Sequence, residues 1–189
     1  MNLPNKLSVL RLILIPVFIA VFYVDFPYHY LVACGVFAIS AFTDFLDGYL
    51  ARKYNLITDL GKFLDSSADK VLVLSAMVII CDANLLPLIA GGIGVVIILT
   101  REILISCLRM VSASKGLVLA ADKFGKLKTL CQDVTIIAVL IAGQFTVGTI
   151  GVVLTWISYV LFILSVVLTI ASGLNYFIRN RKTLAVIER

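Results

Sequence analysis

Residues 149–174 read TIGVVLTWISYVLFILSVVLTIASGL, a run without a single charged side chain. A helix rises about 1.5 Å per residue, so about 20 mostly apolar residues cross the hydrocarbon core of a bilayer. Working outward, five further stretches reach that length, at about 7–26, 29–51, 61–81, 85–109 and 126–146. Of the 189 residues, 61% are apolar and 14% charged, against roughly 45–50% and about 25% in soluble domains. A soluble domain of this size needs more polar residues to cover its surface, so a soluble enzyme, a disordered chain and a disulfide scaffold are poor fits. The sequence predicts an all-α integral membrane protein, one domain over 1–189, with six transmembrane helices. Cys34, Cys81, Cys107 and Cys131 each sit in an apolar run without C-x-x-C spacing and read as small apolar fillers. Asn2, Pro4, Asn5 and Lys6 precede the first apolar stretch with no small-residue cleavage site, so that stretch is expected to be a retained helix.

The net charge of +5 comes from 16 Lys and Arg against 11 Asp and Glu. Lys6 and Arg11 open the first span, and Arg52, Lys53 and Lys62 lie around the second link. Arg109, Lys115, Lys123, Lys126 and Lys128 cluster around the fourth link, and Arg179, Arg181, Lys182 and Arg189 end the chain. Lys70 and Arg101 lie within spans, in the halves nearer those links. The alternate links, 24–29, 82–86 and 143–149, hold no Lys or Arg. Positive charge marks the cytoplasmic side, so both termini are expected in the cytosol, and an even number of spans agrees. This distribution accounts for the basic balance without a nucleic-acid partner.

Four aspartates lie where apolar residues are expected. The second span ends Asp44-Phe45-Leu46-Asp47-Gly48-Tyr49-Leu50-Ala51-Arg52, and the third opens Gly61-Lys62-Phe63-Leu64-Asp65-Ser66-Ser67-Ala68-Asp69-Lys70. A charge inside a membrane helix costs about 2.5–3.5 kcal/mol on insertion scales, which makes such residues rare and usually functional. Asp44 and Asp47 are three apart and Asp65 and Asp69 four apart, so each pair shares a helix face. Gly48 and Gly61, each one turn from an aspartate, leave room beside the carboxylates. Four acids this close need cations or protons to compensate them. Hard oxygen donors favour Mg²⁺ or Mn²⁺, and a two-metal cluster suits displacement at phosphorus. The blander alternative is salt bridging to Arg52, Lys62 and Lys70.

Residues 44–69 read D-x-x-D-G-x-x-A-R, eight residues, then G-x-x-x-D-x-x-x-D, and this resembles the signature of the CDP-alcohol phosphatidyltransferase family. The resemblance implies a dimeric six-helix enzyme of the cell membrane with a polar cavity facing the cytosol. It implies two divalent cations on Asp44, Asp47, Asp65 and Asp69, with Asp69 also the general base. It further implies contacts from Asn5, Ser8, Gly48, Arg52 and Thr58 to the cytidine diphosphate part of CDP-diacylglycerol. Many members carry proline after the third aspartate; Ser66 stands there in this chain.

The signature leaves the acceptor alcohol open. Arg101 and Arg109 are two helical turns apart in Arg101-Glu102-Ile103-Leu104-Ile105-Ser106-Cys107-Leu108-Arg109, and Lys126 and Lys128 open the fifth span. Such a cluster suits a phosphate that the reaction does not consume, arginine gripping bidentately and lysine as a point charge. A cytosolic rim for lipid headgroups also accounts for the lysines, but poorly for Arg101, about three turns inside the helix end. These runs, the opening Asn2-Leu3-Pro4-Asn5-Lys6-Leu7-Ser8 and the closing Ser172-Gly173-Leu174-Asn175-Tyr176-Phe177 resemble family members that use glycerol 3-phosphate. Inositol phosphate or serine as acceptor is the first alternative, and a small cation transporter the second. Transporter sites usually lie near the midplane between repeats, and neither feature is visible.

Overall fold

A computed structural model describes the backbone of residues 3–53, 59–117 and 123–187, and the side chains of 6–44, 61, 67–87, 89–117 and 125–181. The described residues are helical, without strands. The helices are α1 (Leu3–Tyr23), α2 (His29–Lys53), α3 (Asp59–Asp82), α4 (Leu88–Ser114), α5 (Lys123–Gln144) and α6 (Gly148–Ile187). One helix falls on each expected span. Four of them hold segments long and apolar enough to cross a membrane: Lys6–Tyr23, Ile89–Ser114, Gly125–Gln144 and Gly148–Arg181. In α2 the described apolar stretch is His29–Asp44.

Several helix ends differ from the apolar boundaries, for local reasons. The first span was expected to reach about residue 26, but α1 stops at Tyr23, ahead of Pro27 and of Tyr28 at φ 66°. The fourth was expected over 85–109, yet α4 begins after Pro87 and runs to Ser114. Its end is a Schellman motif: the Leu117 amide donates to the Ser112 carbonyl, the Gly116 amide to Ala113, and Gly116 takes φ 70°. At the other end of the chain, α6 continues past residue 174 to Ile187, with an apolar segment that runs to Arg181.

The chain divides into two compact units, Met1–Leu85 with Ile136–Ser158, and Leu86–Thr135 with Tyr159–Arg189. In the first, α1 packs along α2 and α3, and α2 also touches α3. Phe18 lies 6.2 Å from Phe22 and 6.1 Å from Phe37, ring centre to ring centre, and all three are buried. Leu72, Ala76 and Ile80, four apart, bury one stripe of α3. At the far end of α1, the Tyr23 hydroxyl donates to Asp82 at 2.7 Å.

In the second unit, Gly94 lets α4 and α6 come close. A Cβ at Gly94 would lie 2.6 Å from Phe162 and 2.9 Å from Val166, and Phe162 is fully buried. Lipid solvates apolar side chains as well as a protein interior does, so helix association in a membrane depends on such close packing. Gly92, two residues earlier on α4, faces open space. Gly94→Ala should therefore lower stability by more than about 1 kcal/mol relative to Gly92→Ala, since both gain the same helix propensity. Thermal unfolding of the two purified variants in one detergent checks this.

Candidate active site

The four aspartates belong to the first unit. Asp44 and Asp47 lie on the helical backbone of α2, and Asp65 and Asp69 on that of α3, so each pair occupies one helix face as its spacing requires. The helices that carry them are in contact. Asp44 accepts a hydrogen bond from Arg11 of α1 at 2.6 Å. Arg11 is wholly buried, and the Asp44 side chain is 39% exposed. Asp69 is partly exposed, and Ser8, three residues before Arg11, is buried. The side chains of Asn5, Asp47, Gly48, Arg52 and Asp65, and Thr58 altogether, lie outside the described residues.

The sequence assigns Arg11 to the charges that mark the cytosolic face; the structure instead turns it inward as counter-ion to Asp44. The depth argument that singles out Arg101 applies equally to Arg11, several residues inside its own helix. A buried arginine is tolerated when a carboxylate meets its planar fork. Among the described residues no group of three or more His, Cys, Asp or Glu side chains converges on a metal position. The donor chemistry of Asp44 and Asp69, hard carboxylate oxygens on helices that touch, fits a divalent cation such as Mg²⁺ or Mn²⁺.

The basic residues Arg101, Arg109, Lys126 and Lys128 belong to the second unit. Arg101 and Lys128 meet at one oxygen, Oε1 of Glu102, which accepts from Arg101 Nη1 at 3.1 Å and from Lys128 Nζ. Lys128, expected at an open mouth, is 2% exposed. Arg101 Nη2 donates to the Ser172 hydroxyl at 2.7 Å. Gly173 keeps α6 slim beside the arginine stem, where a Cβ would sit 3.4 Å from Arg101 Cγ. Arg109 lies over the ring of buried Tyr176, 5.5 Å from its centre, within cation–π range. Lys126 is exposed. The structure thus joins Arg101 to Lys128 through Glu102 and seats Arg109 on Tyr176.

Sequence reasoning missed Glu102, Ser172 and Tyr176. Ser172 and Tyr176 are four apart on α6 and so share a face, a spacing open to inspection in the quoted 172–177 run. Glu102 directly follows Arg101, and neighbours in a helix point about 100° apart, so adjacency alone gives no sign of a shared contact.

A family model of CDP-alcohol phosphatidyltransferases matches residues 1–171. The chain belongs to the CDP-alcohol phosphatidyltransferase family. The Bacillus subtilis (strain 168) CDP-diacylglycerol–glycerol-3-phosphate 3-phosphatidyltransferase is 34% identical over 198 residues, covering 97% of each chain. The Salmonella typhimurium protein of the same name is 38% identical over 177 residues, 93% of this chain and 92% of its own. That of Rickettsia bellii is 34% identical over 184 residues, 93% of each. The family match runs through both units, and within it fall the acidic residues and the Arg101–Glu102–Lys128 cluster.

The Arg11–Asp44 bond is open to a direct test in this phosphatidyltransferase. Arg11→Met fills similar space without the charge and should cost about 1–3 kcal/mol, the usual range for losing a bond between charged groups. Arg11→Lys should recover part of this, keeping the charge without the fork. Thermal unfolding in detergent, followed through Trp156 fluorescence, gives the order wild type, Lys, Met.

Proposed function

We propose that the protein transfers the phosphatidyl group of CDP-diacylglycerol to sn-glycerol 3-phosphate, giving phosphatidylglycerol phosphate and CMP. What carries this reading is near end-to-end similarity to relatives named for that reaction, supported by a buried Arg–Lys cluster suited to an acceptor's phosphate. Asp69 takes the proton of the acceptor hydroxyl. The freed oxygen attacks the lipid-linked phosphorus, a new phosphorus–oxygen bond forms, and the bond to CMP breaks. Asp44, Asp47, Asp65 and Asp69 would hold two divalent cations, Mg²⁺ or Mn²⁺, which supply positive charge to the pyrophosphate and the departing CMP. Asn5, Ser8, Gly48, Arg52 and Thr58 contact the cytidine diphosphate portion. Arg101, Arg109, Lys126 and Lys128 hold the phosphate that the reaction leaves untouched.

In this reading the chain is one domain that crosses the cell membrane six times. Both termini and a polar cavity face the cytosol, the enzyme works as a homodimer, and the acyl chains stay among membrane lipids. The segregation of Lys and Arg to alternate links supports the orientation. The aspartates of α2 and α3 are, in this account, the catalytic charges.

Purified protein given CDP-diacylglycerol with Mg²⁺ or Mn²⁺ should release CMP with glycerol 3-phosphate and not with inositol phosphate or serine. A chelator should stop the release, and added cation should restore it. Asp69→Asn should slow it by about 10²-fold or more, the usual contribution of a general base. Release driven by another acceptor would overturn the acceptor assignment, and full activity in Asp69→Asn would overturn the base.

A further inference from the structure

The acceptor cluster contains a negative charge that a phosphate site would not be expected to include. Glu102 is 8% exposed as a residue, and the two cations beside it are also largely withdrawn from water: the Arg101 side chain is 14% exposed and that of Lys128 2%. Glu102 presents a single oxygen to both cations, so one carboxylate ties two helices' positive charges to a fixed point.

The arginine's own bonds point the same way. Of its donors, Nη1 goes to Glu102 and Nη2 to Ser172. Nε, which shares one edge of the guanidinium with Nη2, is buried and has no hydrogen-bond partner. A buried donor of this kind costs free energy unless something accepts from it. Ser172 is itself completely buried, so the outer end of the arginine is fixed by a side chain with little freedom of its own. The backbone beneath is secured as well: the Ser106 hydroxyl donates to the Glu102 carbonyl at 2.6 Å.

We propose that Glu102, assisted by Ser172, is a positioning residue that holds Arg101 and Lys128 aligned for the phosphate of the acceptor. The inference rests on the functional reading above and goes beyond it, since it gives a role to an acid that takes no part in the chemistry. Glu102 holds the cations in place in the absence of acceptor, so that binding does not have to assemble them.

The experiment uses the full-length protein in mixed micelles and measures CMP release while each substrate is varied. Glu102→Gln should raise the KM for glycerol 3-phosphate about tenfold, the loss expected for one charge-assisted bond. The KM for CDP-diacylglycerol should stay near wild type. Glu102→Asp, which restores the carboxylate on a shorter stem, should recover part of the loss, and Ser172→Ala should raise the same KM by a smaller factor. The proposal is overturned if the KM for glycerol 3-phosphate is unchanged in Glu102→Gln, or if both KM values rise together in every variant. Should Glu102→Gln fail to fold, Glu102→Asp and Ser172→Ala decide by the same split. Wild-type protein that releases no CMP with glycerol 3-phosphate would overturn the functional reading and this inference with it. An active wild type whose variants keep their KM would overturn the inference alone.

Discussion

Lipid offers no water to a stranded charge, and that constraint orders the described parts of this protein. A buried cation is costly unless it finds an anion within the protein. Arg11 finds Asp44 and thereby fastens α1 to α2. Arg101 and Lys128 find Glu102, with Ser172 completing the arginine's bonds within the second unit. Each polar tie joins helices that apolar attraction alone would hold weakly, because lipid competes for apolar faces on equal terms. Close packing at Gly94 and Phe162, and the Phe18, Phe22 and Phe37 cluster, supply the rest.

The same constraint makes the chemistry affordable in structural terms. A phosphatidyltransferase has to keep acids and bases at the edge of a medium that disfavours both. The chain meets this by pairing some charges permanently and leaving others to be compensated by what binds. Asp44 illustrates both: one oxygen is bonded to Arg11, while 39% of the side chain stays open. Arg101 is similar, with two nitrogens engaged and Nε without a partner.

Much of this was legible in the sequence, and the limits have physical causes. The six helices follow from apolar runs because a membrane selects for length and hydrophobicity over about 20 residues. Helix ends were less legible, because backbone hydrogen bonding continues in water and stops where a residue such as Gly116 takes a left-handed conformation. The aspartate signature named the family directly, through residue types at fixed spacing. Pairing between helices was not legible. Arg11 and Asp44 are 33 positions apart, and Arg101 and Ser172 are 71 apart. Only packing decides which faces meet, and one helix sequence cannot state the orientation of its neighbour. Lys128, assigned from the sequence to the acceptor-phosphate cluster, is buried against Glu102, a partner that only packing reveals.

The four residues Arg101, Glu102, Lys128 and Ser172 also bear on how such a site can change over time. Each is satisfied by at least one of the others, so replacing any one leaves a buried group mismatched until a second changes too. Under the proposed acceptor role, a new specificity is not reached by a smooth series of single substitutions at this cluster. Strong epistasis of this kind would keep a lineage committed to its acceptor while the lipid-facing residues around it drift freely.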